Sequence, residues 1–378
     1  YKMVEVARIL VTRGFDVRVI MTEGAQKFVT PLTFQSVTGN PVVTSYWDEQ
    51  EAAGIGHIHL ADWADCLVVA PASADVIAKL ANGFTDNPLL GTVLATKSKV
   101  LIAPAMNVNM YENSITQKNI SELKERGYLF VGPGEGALAC GWNGSGRLSE
   151  PVEIVRHIDR TLSSQDFKGK KVLVTAGPTR EHIDPVRFVS NRSSGKMGIA
   201  LAQEAFRRGA EVTIVHGQIQ VDLSPEIKKF QITSAKEMED KVIELSLGKE
   251  QFDYVIMAAA VADARPKNTA DLKLKKGEMP KSIELAMNTD ILSEVSSRRG
   301  KNDFPRLIAF AVETGEIEDL IKEANRKLTD KGADMIVGNF AQDALELDTN
   351  RVWIIDKHGK QTEVATASKY TIARKILD

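Results

Sequence analysis

Short apolar runs alternate along the chain with stretches whose apolar residues recur every third or fourth position. The runs predict buried strands, and the spaced stretches predict amphipathic helices. The predicted strands cover residues 16–20, 66–70, 100–103, 172–174, 211–215, 254–257, 307–311, 334–337 and 352–356. The predicted helices begin near residues 4, 25, 74, 87, 151, 196, 235, 317 and 368. This alternation is typical of doubly wound, mainly parallel α/β sheets, which bind ligands at the carboxyl ends of their strands.

The connection after the strand at 172–174 departs from this pattern. About fifteen residues precede the next helix, whereas such connections usually span roughly two to six residues and long ones are often functional. The loop carries Arg180, Arg187 and Arg192, and Ser193 and Ser194 are candidates to cap the helix. Cations in front of a helix N-terminus form an anion site, so we expect a phosphorylated ligand here. The alternative interpretation is a solvated basic surface.

Two segments lack any periodicity. The segment 132–147 is so rich in glycine that no regular element is expected, because glycine loses much backbone entropy on ordering. A lid that closes over a substrate and a disordered surface loop both fit this composition, and Cys140 and Trp142 favour the lid. The segment 265–282 is rich in lysine and proline and predicts a mobile loop that carries Lys273.

Length, charge and cysteine content indicate the number of domains, the kinds of partner and the cellular compartment. A chain of 378 residues predicts two domains, at 1–160 and 169–378, with a linker at 161–168. Lys plus Arg total 48 against 50 for Asp plus Glu, which argues against nucleic-acid or membrane partners. The absence of a long apolar run or signal peptide, with only two cysteines, favours a reducing cytoplasm. An α/β domain normally opens with a strand and a glycine turn, and we expect both to be missing here.

Single residues leave their roles open. An imidazole such as that of His57 suits acid–base chemistry, but a lone histidine is more often structural. Cys140 is a candidate proton donor or an inert thiol, and Asn107 is a candidate ligand or a helix cap. The second half contains neither G-x-G-x-x-G nor a Walker sequence, which disfavours a nicotinamide dehydrogenase or a P-loop enzyme.

Three motifs in the first half resemble the flavin-dependent phosphopantothenoylcysteine decarboxylase family. They are G-H-I-x-L-x-x-W-A-D at 56–65, P-A-M-N at 104–107 and A-C-G-x-x-G-x-G-R at 139–147. The resemblance implies a flavodoxin-like fold that binds FMN, with His57 as the catalytic histidine. It also implies that Asn107 holds the substrate carboxylate and that Cys140 donates a proton. The positions that match FMN contacts are Thr22, Ser73, Asp86 and Asn87.

The second half resembles the bacterial phosphopantothenate–cysteine ligase family. The matching motifs are T-A-G-P-T-R-E-x-I-D-P-V-R-F-x-S-N-x-S-S-G-K-M-G at 175–198, A-A-A-V-A-D at 258–263 and K-x-K-K at 273–276. The resemblance implies a Rossmann-like domain that uses CTP to form an acyl-cytidylate, which Asn191 and Arg187 handle. By its chemistry, a carboxylate such as Asp263 is a candidate to hold a divalent cation such as Mg²⁺ or the base of CTP. The positions that match CTP contacts are Asp263, Lys273, Thr289, Asp290, Ile291, Leu292, Phe310, Lys327 and Lys331.

In their order, these motifs resemble the bifunctional coenzyme A biosynthesis family over the whole length. The resemblance implies the small-molecule substrates 4'-phosphopantothenate, cysteine and CTP, and a homo-oligomer of decarboxylase trimers linked by ligase dimers. One alternative is an active ligase whose first domain is only a flavin-binding or oligomerisation scaffold; another is a flavin-binding protein without catalysis. Thr289 and Ala309 replace a usual proline and glycine, and we interpret His59 as a non-catalytic neighbour of His57.

Overall fold

The chain folds into two compact units, Tyr1–Ser164 and Gln165–Asp378. The computed structural model describes residues 1–47, 56–137, 143–276, 280–300 and 304–378. The helix that closes the first unit continues to Leu162, and Phe167 lies in the core of the second unit. The connection between the units is therefore shorter than the predicted linker at 161–168.

The first unit combines short parallel strands with surrounding helices. Its helices are α1 (Lys2–Thr12), α2 (Glu23–Gln26), α3 (Pro31–Thr38), α4 (Gly56–Trp63), α5 (Ala74–Ala81), α6 (Pro88–Ala95), α7 (Val108–Glu112), α8 (Ser114–Glu125) and α9 (Pro151–Leu162). Its strands are β1 (Val19–Ile20), β2 (Val42–Val43), β3 (Cys66–Ala72), β4 (Lys99–Pro104), β5 (Leu129–Phe130), β6 (Gly134–Ala137) and β7 (Asn143–Arg147). β1 pairs with β2, and β3, β4 and β5 form a second sheet, all in parallel. The predicted strand at 16–20 is shorter than expected, since it begins only at Val19.

The glycine-rich segment forms a hairpin, so the prediction of no regular element was wrong. β6 pairs antiparallel with β7, with a register shift between Gly134 and Glu135. An antiparallel ladder satisfies backbone N–H and C=O groups whatever the side chains, and this offsets the entropy that glycine loses. Cys140 and Trp142 lie outside the described residues.

The second unit is built on one eight-stranded sheet. Its helices are α10 (Lys196–Arg207), α11 (Ala235–Ser246), α12 (Ile291–Arg299), α13 (Ile317–Asp330), α14 (Ala341–Ala344) and α15 (Lys369–Leu377). Its strands are β8 (Lys171–Ala176), β9 (Arg180–His182), β10 (Phe188–Ser190), β11 (Glu211–His216), β12 (Lys228–Gln231), β13 (Tyr254–Met257), β14 (Ala264–Pro266), β15 (Leu285–Met287), β16 (Arg306–Glu313), β17 (Met335–Phe340), β18 (Thr349–Asp356) and β19 (Gln361–Ser368).

The strand order of this sheet shows where along the carboxyl ends of its strands a ligand is expected to bind. The order is β12-β11-β8-β13-β16-β17-β18-β19; the pairs from β12 to β17 are parallel and the last two are antiparallel. The chain moves outward from β8 through β11 to β12 and then returns to β13 on the other side of β8. A topological switch point therefore lies between the carboxyl ends of β8 and β13, where doubly wound sheets bind ligands. The predicted fold class is confirmed.

Alternating residues along the strands pack into two apolar layers, one on each face of the sheet. Val172 and Val174 pack on one face of the sheet with α10 and α15, whereas Leu173 packs on the other with α11, α12 and α13. Side chains of a strand point alternately to its two faces, which explains why the predicted apolar run is continuous. The helices thus cover both faces and leave the strand ends open for a site.

The long connection after β8 contains structure that the sequence analysis did not predict. β9 and β10 pair antiparallel within it. The helix behind it begins after Gly195, which adopts φ +73° as the N-cap and offers no side-chain cap. The hydroxyl of Ser193 instead accepts a hydrogen bond from the Gly195 N–H at 3.2 Å. The expectation that Ser193 and Ser194 cap α10 was therefore wrong.

Asp334, just before β17, makes the second unit sensitive to acid. Its carboxylate accepts hydrogen bonds from Arg299 at 2.6 Å, from Lys357 at 2.8 Å and from the Leu307 N–H at 2.8 Å. Burial raises the pKa of Asp334, but these three donors outweigh it and hold the pKa below its ordinary value. The carboxylate therefore stabilises the fold fully above about pH 4, and this contribution is lost as pH falls through the lowered pKa.

We expect Asp334→Asn to lower the free energy of unfolding at pH 7 by about 2 to 3 kcal/mol, because it leaves the buried Arg299 without its charge partner. The variant should also lose less stability than the wild type between pH 5 and pH 3. Thermal melts across this range measure both effects. Glu363→Gln, in an exposed pair with Arg351, is the control and should change little. Equal acid sensitivity of Asp334→Asn and wild type would contradict the assignment.

Candidate functional site

Loops after β8 and β13 are joined at the switch point. The Ala260 N–H donates to the Gly177 carbonyl at 2.9 Å, and the Ala262 N–H donates to the Thr179 hydroxyl at 3.0 Å. Asn191 reaches the same place, since its Nδ2 donates to the Val261 carbonyl at 3.0 Å. Asn191, which is predicted to bind the acyl-cytidylate intermediate, therefore lies at the switch point, where this fold class binds its ligands.

Arg187 is held in the turn between β9 and β10 by a buried carboxylate. Asp184 has no exposed surface, and its Oδ1 accepts the N–H groups of Val186 and Arg187, both at 2.8 Å. Its Oδ2 accepts Nη1 of Arg187 at 2.7 Å. Burial raises the pKa of Asp184, but the backbone donors and the Arg187 charge outweigh it, so the pKa lies below its ordinary value. Asp184 is therefore an anion that fixes Arg187.

The three arginines of this connection contact different neighbours. Arg180 stacks on the Phe188 ring, with its guanidinium carbon 4.7 Å from the ring centroid. Arg192 forms a long ion pair with Glu346, at 3.7 Å. Each arginine therefore has its own neighbour, and the expected anion site at the start of α10 stays a prediction.

Asp290 and Lys331, both predicted CTP contacts, are brought together by the fold. Asp290 caps α12 by accepting the Ser293 N–H at 3.1 Å, and it pairs with Lys331 Nζ at 2.7 Å. Burial raises the pKa of Asp290, whereas Lys331 and Ser293 lower it by more. The side chains of Ile291 and Leu292 are buried in the core. Of the predicted turn, only the backbone and the first two side chains face the site.

Lys327 and Phe310 lie near the carboxyl end of β16. Lys327 Nζ pairs with Glu313 at 3.1 Å and with Glu323 at 3.6 Å. Phe310 is half-buried and packs against the apolar layer beside α10. Lys273 is exposed on a different segment. Of these predicted cations, Lys327 and Lys331 have carboxylate partners.

Asp263 is exposed at the end of the loop after β13, directly before β14, and its carbonyl accepts the Asn288 N–H at 2.8 Å. Within the described ranges, no three His, Cys, Asp or Glu side chains gather closely enough to hold a metal ion. Mg²⁺ commonly binds one or two carboxylates together with substrate phosphates. A single exposed carboxylate at a strand end fits that mode of binding.

Sequence reasoning missed Arg265, which lines a polar pocket of about 260 Å³. The remaining lining residues are Ala235, Lys236, Glu239, Asn288 and Thr289. Arg265 Nη1 donates to the Met287 carbonyl at 3.0 Å and to Asn288 Oδ1 at 2.7 Å. In the sequence, the feature that could have identified Arg265 is its position two residues after Asp263, a predicted CTP contact. Arg265 ties β14 to β15 beside Thr289, a predicted CTP contact.

His57 lies on α4 in a tight contact with α6. Its ring meets that of Tyr46 edge-on, with the centroids 4.9 Å apart. The Tyr46 hydroxyl donates to the carbonyl of Asn87 at 2.7 Å. A Cβ on Gly91 would lie 2.3 Å from that hydroxyl and 3.3 Å from His57 Cδ2. The fold thus links the predicted catalytic histidine to a predicted FMN contact, whereas His59 is exposed.

Four other predicted residues of the first unit are the N-caps of helices: Thr22, Ser73, Asn87 and Asn107. The side-chain oxygen of each accepts a backbone N–H of the first helical turn, at 2.9 to 3.3 Å. Thr22, Ser73 and Asn107 follow β1, β3 and β4, at the carboxyl ends of parallel strands. A capping hydroxyl retains its own hydrogen for donation to phosphate or flavin oxygens. This donor set fits a flavin nucleotide, and Asp86 beside it pairs with Lys79 at 2.9 Å.

The glycine hairpin packs on the turn that carries Asn107. The Met106 N–H donates to the Gly146 carbonyl at 2.9 Å. A Cβ on Gly146, at φ +150°, would lie 2.3 Å from the Met106 carbonyl oxygen, which is too close for any other residue. The strand β7 of the hairpin therefore packs directly against the predicted carboxylate-binding turn.

We expect Gly146→Ala to lower decarboxylation at least tenfold, because its methyl group pushes β7 away from Met106 and displaces Asn107. Carbon dioxide release measures the effect, with CMP release by the second unit as an internal reference. Gly136→Ala is the matched control: it lies in the same hairpin at φ +137°, but nothing lies within 4 Å of its Cβ. Equal losses in both variants would mean that backbone strain, and not the contact with Met106, matters.

Comparison with known proteins assigns each unit. Residues 1–163 match the Flavoprotein family, and residues 167–378 match the DNA/pantothenate metabolism flavoprotein C-terminal domain. Together with the strand-end sites, this defines a flavoprotein joined to a Rossmann-like domain of pantothenate metabolism. No helix in the described part of the chain is long and apolar enough to cross a membrane.

Relatives that match along the whole chain make the assignment specific. The chain is 43% identical over 384 residues to the coenzyme A biosynthesis bifunctional protein CoaBC of Bacillus subtilis, covering 100% of this chain and 92% of that protein. It is 41% identical over 382 residues to CoaBC of Vibrio cholerae, covering 100% and 94%. It is 39% identical over 391 residues to CoaBC of Mycobacterium tuberculosis, covering 100% and 92%. The chain belongs to the CoaBC family.

Proposed function

We propose that this protein catalyses two consecutive steps of coenzyme A biosynthesis. The second unit, predicted at 169–378, joins 4'-phosphopantothenate to cysteine with CTP. The first unit, predicted at 1–160, decarboxylates the product, 4'-phosphopantothenoylcysteine, to 4'-phosphopantetheine. The observation that carries the proposal is the match to CoaBC relatives over the full chain, with both domains in the same order.

In the ligase reaction, the carboxylate of 4'-phosphopantothenate attacks the α-phosphorus of CTP and releases pyrophosphate. The cysteine amine then attacks the acyl-cytidylate carbonyl and releases CMP. The lysines at the strand ends, Lys273, Lys327 and Lys331, offset the triphosphate charge, and Asp263 holds Mg²⁺. Asn191 lies at the switch point, where its amide donates to the intermediate. Arg187, fixed by Asp184, faces the negative charge of the substrates.

In the decarboxylase reaction, bound FMN supplies the oxidation of the substrate thiol and the later return of electrons. Thr22, Ser73 and the pair Asp86 and Asn87 hold this group through their positions at strand and helix ends. His57 accepts or donates a proton at an imidazole nitrogen. Asn107 holds the substrate carboxylate, and Cys140 supplies a proton from the hairpin.

We also propose that the protein is a cytoplasmic homo-oligomer in which decarboxylase trimers are linked by ligase dimers. Large apolar side chains on each unit support this arrangement. Phe28 and Trp47 are 91% and 88% exposed on the first unit, and Met287 is 74% exposed on the second. Such side chains are commonly covered by another subunit.

The test measures CMP release with 4'-phosphopantothenate, cysteine and CTP, and then carbon dioxide release with and without added FMN. We expect both products, with carbon dioxide dependent on FMN. Absence of CMP would refute the ligase assignment. CMP without carbon dioxide at saturating FMN would favour the second candidate, an active ligase whose first unit is a flavin-binding or oligomerisation scaffold.

A further inference from the structure

Hydrogen bonds join the β9–β10 turn to the lysine-bearing segment 267–276. Two of them involve the backbone of β9 and the turn, from Ala270 N–H to the Ile183 carbonyl at 2.9 Å and from the Thr269 hydroxyl to the His182 carbonyl at 3.1 Å. Two more involve Asp184 and Arg187 directly. The Leu274 N–H donates to Asp184 Oδ2 at 3.2 Å, and Arg187 Nη1 donates to the Leu274 carbonyl at 3.3 Å.

Asp184 is the common acceptor of this arrangement. One of its oxygens, Oδ2, serves both Arg187 and the Leu274 N–H, while Oδ1 serves the turn itself. Leu274 follows Lys273, a predicted CTP contact. A single carboxylate without exposed surface therefore joins the two sets of predicted ligase residues, although they are distant in sequence.

The segment 267–276 is also bonded at its start, where the Lys267 N–H donates to the Glu284 carbonyl at 2.9 Å. A cavity of about 350 Å³ lies under it, lined by Ile183, Asn268, Leu274, Ile283 and neighbouring residues. Leu272 within the segment is 81% exposed. Since the Leu272 side chain beside Lys273 is not packed, the hydrogen bonds of Thr269, Ala270 and Leu274 to the turn contribute to holding Lys273 in place.

We propose that Asp184 is a positioning residue of the ligase site, which holds Arg187 and the segment 267–276 in one arrangement. The proposal rests on the proposed ligase function. Asp184 itself does not touch substrate; it acts through Arg187, which faces the substrate, and through Leu274, which places Lys273 toward CTP. Loss of its charge frees both groups together, so the binding of CTP and the rate of ligation change in the same variant.

The test compares Asp184→Asn with wild type and with Asp334→Asn. We expect Asp184→Asn to lower kcat/KM for CMP release about 10- to 100-fold, with a raised KM for CTP and a lowered kcat, because small misplacement of catalytic groups is costly. Hydrogen exchange at 267–276 should become faster. Asp334→Asn also removes a largely buried, multiply bonded carboxylate, but one at the amino end of β17 and not at the carboxyl ends of the strands. It should lower the melting temperature while KM for CTP and exchange at 267–276 stay unchanged.

A folded Asp184→Asn protein with wild-type KM for CTP and wild-type exchange at 267–276 would overturn the proposal. So would equal changes in KM and exchange in Asp334→Asn, since a general loss of stability would then explain both. If Asp184→Asn does not fold, Leu274→Pro removes the N–H donor from the exposed segment and should raise KM for CTP in the same way; an unchanged KM contradicts the proposal. Absence of CMP release by wild type would instead refute the proposed function, while the exchange experiment still tests the contact.

Discussion

Asn191→Asp is expected to slow CMP release at least 100-fold, about 2.7 kcal/mol of transition-state stabilisation. The Asn191 amide donates to the Val261 carbonyl at the switch point. A carboxylate has no hydrogen to donate, so two acceptors would face each other and the loop after β13 would lose this contact. The variant also places a negative charge beside the phosphate of the acyl-cytidylate.

The second half-reaction should suffer most. When the cysteine amine attacks, negative charge develops on the carbonyl oxygen, which a neutral donor stabilises and a carboxylate repels. We therefore expect the acyl-cytidylate to accumulate in single-turnover reactions quenched with acid, while pyrophosphate release is less affected. Chromatography of the quenched mixture measures both.

Asn325→Asp is the matched control for this variant. Asn325 makes the same kind of bond, from its Nδ2 to the Ile321 carbonyl at 2.8 Å, but on α13. We expect its CMP release to stay within about threefold of wild type, as for other substitutions outside the reacting centre. Normal turnover by Asn191→Asp, or equal losses in both variants, would remove the role assigned to Asn191.

His57→Asn is expected to reduce carbon dioxide release by about 10² to 10⁴, the usual contribution of a positioned acid or base. Asparagine keeps much of the volume that packs against Tyr46, but it cannot transfer a proton as an imidazole does. CMP release by the second unit of the same molecule should remain unchanged, so protein concentration and folding are checked within each sample.

His59→Asn separates catalysis from a general effect on α4. His59 is two residues further along this helix and exposed, and we expect its substitution to leave both activities near wild type. The visible absorbance of bound flavin provides a further measurement, because His57 touches Tyr46, which contacts Asn87. Loss of flavin in His57→Asn would indicate a structural role in the cofactor site. Equal effects of the two histidine substitutions would also contradict a catalytic role for His57.

Apolar periodicity predicted most of the long buried elements, although it missed the helices α8 and α12. The run around Val172 became β8, and the spacing after Met197 became α10, since alternating and helical patterns directly reflect which faces leave water. Short strands without such a pattern were missed. β10 is largely exposed, β9 is only partly buried, and β6 and β7 contain four glycines in nine residues. The pairing of these strands depends on backbone hydrogen bonds and leaves little trace in side-chain polarity.

The start of α10 illustrates a second kind of error. Serine is a common N-cap, which favoured Ser193 and Ser194. In the structure the helix start packs so closely on the preceding loop that a Cβ on Gly195 would lie 2.3 Å from Ile219 and 3.2 Å from the Gly177 nitrogen. Because the loop packs this closely on residue 195, only glycine fits at this position. Local cap preference could not reveal it.

By itself, the sequence determined the class of each domain, the family and the residues that match its motifs. These follow from local periodicity and from ordered motifs, which are properties of the linear chain. Only the tertiary structure decided which of those residues meet. It placed Asn191 on Val261, paired Asp290 with Lys331, and made Asp184 the shared acceptor for Arg187 and Leu274. The physical reason is that strand order and loop docking are set by long-range packing and hydrogen bonding, which no local pattern encodes.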